Sequence, residues 1–130
     1  NSLVSPHRLE GAIDGFAMGN VFRLMDRRHR RKIVAFERGE LGQLLNLYSR
    51  RVAVGEWRDY AIDFKAGMAV FSVFRHSAEQ PLFAIAKMAP GSQRQGDYIL
   101  VSGPRRLAQG KTIAEVLQVL DKKLYLAFSR

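Results

Sequence analysis

The sequence predicts an α+β domain: a mostly antiparallel sheet, made of a four-strand meander plus a short N-terminal strand, covered by two amphipathic helices. Three observations predict it. The run from Trp57 to Met88 carries six of the thirteen aromatic residues and sets its side chains in period-two alternation. Two other stretches, Leu41 to Val52 and Ile113 to Ala127, carry apolar residues at helical spacing. The chain has 130 residues, 47% of them hydrophobic, enough for the core of one domain without staples. A sheet with apolar faces needs a cover, and each helix brings one apolar stripe.

Residues 1–31 read as a basic, poorly patterned N-terminal arm and residues 32–130 as a single α+β domain. In the arm, Gly11, Gly15 and Gly19 interrupt any helix that Leu9, Ala12, Ile13 and Phe16 start. Val21, Phe22, Leu24 and Met25 form a small apolar patch that can dock on the domain or on a partner. Asp26 to Lys32 is the densest charge block. Its Arg27, Arg28, Arg30, Arg31 and Lys32 are either a phosphate-binding arm, through bidentate guanidinium contacts, or a solvated linker. Because the apolar periodicity begins at Ile33, a chain starting at Lys32 is expected to keep the fold.

Ile33 to Phe36 reads as the short N-terminal strand, ended by Glu37-Arg38-Gly39. The first helix follows, with Leu41, Leu44, Leu45, Tyr48 and Val52 on one stripe and Gly55 as its stop. Glu40 complements the positive end of its dipole, and Arg50 with Arg51 the negative end. Tyr60, Ile62 and Phe64 then alternate with Ala61, Asp63 and Lys65, a strand with one buried face. Lys65-Ala66-Gly67 supplies a hairpin turn. Met68 to Phe74 is apolar on both faces, so it is the central strand, covered on both sides. Leu82 to Met88 and Tyr98 to Val101 complete the meander, separated by a polar connection from Pro90 to Gly96. Arg105-Arg106 and Lys111 bracket a short basic link to the last helix, where Thr112 and Glu115 have capping-box spacing. Its stripe is Ile113, Val116, Leu117, Leu120, Leu124 and Ala127.

Chemistry is limited by what is absent from the sequence. There is no cysteine, so disulfides, thiolate metal sites and cysteine nucleophiles are excluded together. His7, His29 and His76 have no metal-ligand spacing, no serine sits in a Gly-x-Ser-x-Gly elbow, and no Gly-Lys-Ser/Thr directly follows the glycines of the Pro90 to Gly96 connection. No catalytic residue, metal or cofactor is expected from these patterns. Two clusters stay open. Trp57, Arg58, Asp59 and Tyr60 stand together where helix gives way to strand, either holding a ligand by stacking and a bidentate bond or capping the core. His76 with Asp59, Asp63 or Glu79 is the one acid-base pairing the fold allows. A formal charge of +9 favours acidic partners, and Arg27, Arg28, Arg30, Arg31, Lys32, Arg105, Arg106 and Lys111 are the residues to meet them. The RNP motif of sheet-based RNA readers is missing, which leaves Phe71, Phe74, Phe83 and Tyr98 to the core. No apolar run reaches the roughly 20 residues of a membrane helix.

The segments VAFERGELGQLLNLYSRRVAVGEWRDYAIDF, AVFSVFRHSAEQPLFAIAK, RQGDYILV and VLQVLDKKLYL resemble a family of short alphaproteobacterial proteins, the domain of unknown function DUF2794. The likeness runs from about Val34 to Leu126, and its most specific parts are Gly55 to Phe64 and Leu120 to Leu124. The resemblance implies a bacterial cytoplasmic protein and carries over no catalytic or binding residue. The expected function is a non-enzymatic binding or accessory module with a basic arm, in a protein-interaction role. The alternatives are a nucleic-acid binder using that arm, and a small-ligand or enzymatic site around Trp57 to Asp63 and His76.

Overall fold

In the computed structural model, residues 33–76 and 80–128 are described. Helix α1 (Arg38–Ala53) precedes five strands, β1 (Asp59–Lys65), β2 (Met68–Phe74), β3 (Phe83–Met88), β4 (Tyr98–Ser102) and β5 (Arg105–Gly110), and α2 (Ile113–Phe128) follows. The strands form one antiparallel sheet in the order β1-β2-β3-β4-β5, each pairing with its sequence neighbours. The arm, Lys32 and Glu79 lie outside the described residues. So do the side chains of Leu124 and Ala127.

The α+β class and the antiparallel meander hold, but the membership of the sheet differs in two places. Ile33 to Phe36 is not a strand, although Val34 and Phe36 are buried. It is an extended segment whose alternate side chains enter the helix-side core, so its period of two reports burial without ladder pairing. The basic link, by contrast, is β5. Arg105 and Arg106 pair with Ser102 and Val101, and a register shift lets Leu107 and Ala108 both pack toward the helix-side core. That bulge breaks the alternation by one residue, which hides the strand from a period-two reading.

Register assigns the side chains to two faces. Tyr60, Val73 and Phe83 align across β1, β2 and β3, and Ile62, Phe71, Ile85, Leu100 and Ala108 align across all five strands. These join Leu44 and Leu47 of α1 and Ile113, Val116 and Leu120 of α2 in one core between sheet and helices. The opposite face carries Ala61, Met68, Val70, Phe74, Ala84, Ala86, Met88, Ile99 and Val101 as a separate core cluster. All seven residues of β2 are buried, as expected for a central strand covered on both sides. Phe64, at the far end of β1 from Tyr60, is an exception to the one-buried-face reading and stays 59% exposed.

The helices end by recognisable devices. Leu47 does most of the burial that Val52 was expected to do: Leu47 is buried and Val52 is exposed. At the start of α2 the Glu115 N–H donates to Thr112 Oγ1 at 3.3 Å, and the Glu115 carboxylate accepts from the Lys111 N–H at 3.3 Å. The return contact thus reaches one residue further back than a full capping box requires. The Pro90 to Gly96 connection is cross-braced by the Asp97 carboxylate, which accepts from the N–H groups of Gly91 (2.9 Å) and Gln93 (3.2 Å). Gly96 itself has φ +124° and lies so close to Gly110 that a Cβ would sit 2.1 Å from its carbonyl oxygen.

Candidate functional site

The Trp57 to Tyr60 cluster does not converge. Trp57 is buried, its ring centroid 6.4 Å from those of both Tyr48 and Phe83. Tyr48 meets Tyr60 edge-on at 4.8 Å, and Tyr60 stacks on Phe71 at 5.6 Å. Arg58 is exposed, while its backbone closes the corner by donating to the Phe74 carbonyl and accepting from the Tyr48 hydroxyl. Asp59 turns back to accept the Tyr60 N–H. The aromatics pack into the helix-side core, and Arg58 faces outward.

His76 is exposed just beyond the end of β2. Asp63 pairs with Val70, four residues and about 13 Å from the end of β2. Asp59, opposite Phe74, is the nearer carboxylate, and Glu79 lies outside the described residues. Arg105, Arg106 and Lys111 are all exposed. Arg105 and Arg106 are consecutive on an edge strand and project to opposite sides, and Arg106 also donates to Gln109, so they form no single basic patch. Among the described residues no group of three or more His, Asp or Glu could hold a metal ion.

The most concentrated polar chemistry lies elsewhere. Lys87 and Tyr98 face each other across β3 and β4 and point at the first turn of α1. The Lys87 ammonium donates to Glu40 Oε1 at 2.8 Å and to the Ala35 carbonyl at 2.9 Å. The Tyr98 hydroxyl donates to Glu40 Oε2, and the Glu37 N–H donates to Glu40 Oε1. Burial alone would raise the Glu40 pKa, but the bonds from Lys87, Tyr98 and the Glu37 amide, with the Lys87 charge, hold it below its ordinary value of 4.5. Burial, the bond to Glu40 and the negative charges of Glu40, Glu37 and Asp97 push the Tyr98 hydroxyl well above its ordinary 10.0. The network locks the extended segment and the α1 N-terminus onto the sheet. Sequence reading saw Glu40 only as a dipole partner; the legible signal was a lysine inside an apolar strand, Lys87, which a buried position obliges to find an anion.

A second lock joins the helices. Arg51 bonds Glu56 at 3.1 Å and Asp121 Oδ1 at 2.9 Å, tying the end of α1 to its own exit loop and to α2. Alongside it the two helices leave a groove of about 240 Å³. Leu47 and Leu117 line it together with Gln43, Asn46 and Arg50 of α1 and Ala114, Gln118 and Asp121 of α2. A smaller void of about 10 Å³ beneath Trp57, Phe71 and Leu120 is wholly apolar and no larger than one water, a packing gap rather than a ligand site.

Residues 34–117, well over half of the chain, match the family described as Protein of unknown function (DUF2794). The chain belongs to the DUF2794 family. No curated protein and no solved structure matches it. The DUF2794 match begins at Val34, the first buried residue of the extended segment, and ends at Leu117 in the groove. It therefore includes Glu40, Lys87 and Tyr98, every strand and most of the groove. No helix among the described residues of this DUF2794 protein is long and apolar enough to cross a membrane.

Proposed function

We propose that this DUF2794 domain is a non-enzymatic protein-interaction module of the cytoplasm that receives an acidic segment of a partner protein in the groove between α1 and α2. The carrying observation is the groove's composition: an apolar floor with three side-chain amides around it and, at one end, Arg50 paired with Asp121 at 4.0 Å. Gln43, Asn46 and Gln118 can each donate to and accept from a peptide backbone, the exposed Arg50 can exchange its 4.0 Å contact with Asp121 for a partner carboxylate, and Leu47 with Leu117 receives an apolar side chain. The net charge of +9 draws an acidic partner toward it. The two polar locks favour binding over turnover, because Glu40, Lys87 and Arg51 are engaged in holding the fold. The family resemblance supports the cytoplasmic setting.

The test compares partners retained in native cells by the tagged full chain and by an Asn46→Glu/Gln118→Glu double variant, whose carboxylates repel an acidic segment. The expected result is a defined protein that is lost with the double variant, survives nuclease, and is kept by an Arg105→Gln/Arg106→Gln control. A partner that the groove variant retains would overturn the reading. One released by nuclease, or lost only with the arginine control, would point to nucleic acid instead.

A further inference from the structure

The face of the sheet turned away from the helices poses a physical problem. Its residues Met68, Val70, Phe74, Met88, Ile99 and Val101 have essentially no exposure, yet among the described residues the cluster they form consists of strand residues alone. Neighbouring side chains on one face of a sheet shield each other's flanks and leave their tips open, so such burial needs a second layer. Both helices and the extended segment belong to the other core.

We infer that the N-terminal segment of this same chain, residues 1–25, is that layer. Of the chain beyond the described residues, 77–79 and 129–130 are too short to cover a sheet, which leaves 1–32. Five strands span about 20 Å, and even wound as a helix 20 residues extend about 30 Å, so the segment is long enough. It is apolar where it must be, at Leu9, Ile13, Phe16, Val21, Phe22 and Met25.

Shape supports the pairing. Ala61, Ser72 and Ala84 lie directly opposite one another across β1, β2 and β3, a trough of small side chains between Phe74 on one side and Val70 with Ala86 on the other. A trough of small side chains receives a bulky one, and Phe16 and Phe22 are the aromatic rings that residues 1–25 bring. Charge agrees at the rim, where Asp59 and Asp63 of the β1 edge share this face and the segment brings Arg8 and Arg23. The docked segment would leave only Asp26 to Lys32 as the solvated basic link into the domain.

The test uses the full chain with methyl-labelled methionine and isoleucine. Nuclear Overhauser contacts are expected from the methyl groups of Met68, Met88 and Ile99 to the ring protons of Phe16 or Phe22, within one molecule. They should disappear in Phe16→Asp/Phe22→Asp, whose exposed methyls become broadened by a soluble paramagnetic chelate. If that variant fails to fold, the wild-type contacts still decide. Contacts seen only between differently labelled molecules would make a second copy the cover and overturn the inference. Wild-type methyls open to the chelate, or protected methyls with no contact to residues 1–25, would overturn it equally.

Discussion

Glu40 carries the sharpest expectations at the scale of single residues. The residue is 9% exposed, and its carboxylate accepts from Lys87, Tyr98 and the Glu37 amide. Removing its charge strands the Lys87 ammonium, so Glu40→Gln is expected to cost about 3–5 kcal/mol, the usual penalty for breaking a buried pair from one side. Lys87→Met made together with Glu40→Gln should cost less than the two singles combined, measured by denaturant unfolding. The pH dependence has a defined sign. The Glu40 pKa is lowered on folding, so its contribution is present above 4.5 and is lost as pH falls through the lower folded value. The Tyr98 pKa is raised, so its contribution is full below 10.0 and is lost as pH rises through the higher folded value. Wild type should therefore lose stability at both extremes. Glu40→Gln should flatten the acid limb, and Tyr98→Phe the alkaline limb, in midpoints measured against pH. Gly96→Ala tests backbone geometry alone. With φ at +124° and Gly110 in the way, it should lower the unfolding midpoint clearly, whereas Gly42→Ala, with open space around it, should not.

Among the elements, α2 is held by weaker means than its sequence signature promised. Thr112 Oγ1 accepts the Glu115 N–H at 3.3 Å, while Glu115 reaches the amide of Lys111. Thr112→Ala is accordingly expected near the low end of the usual range for a lost N-cap, about 0.5–1 kcal/mol, with a double change to Thr112→Ala/Glu115→Ala costing less than the sum. Strict additivity in thermal unfolding would separate the two residues. The spacing of Thr112 and Glu115 was legible because a capping motif is local, four residues long. β5 was not, because a bulge at Leu107 shifts its alternation and its arginines resemble a surface link. Ile33 to Phe36 misled in the opposite direction: alternating burial can come from a packed extended segment, and only a partner strand distinguishes the two.

For the whole molecule, the two apolar faces of the sheet set the expectations. A chain starting at Lys32 keeps the full apolar periodicity, which by itself predicts an intact fold. With the far face dependent on residues 1–25, that chain is instead expected to self-associate and to bind a hydrophobic dye that the full chain ignores, as read by light scattering and fluorescence. Cooperative unfolding of a monomeric truncated chain would return the arm to the role of a free basic tail. If nucleic acid is bound, affinity should fall steeply with salt and show little sequence preference, since phosphate contacts from Arg27, Arg28, Arg30, Arg31 and Lys32 would carry the binding.

The sequence by itself determined the class of fold, the order of the helices and meander, and the central place of Met68 to Phe74, because periodicity and turn chemistry are properties of neighbours along the chain. It also excluded cysteine chemistry outright. Tertiary structure alone decided that Trp57 and Tyr60 fill a core corner while Arg58 turns outward. It brought Glu40, Lys87 and Tyr98 together from positions 47 and 58 residues apart, and it opened a groove between α1 and α2. Those outcomes depend on which faces meet across long loops, and strand register and helix docking fix that only once the chain has closed on itself.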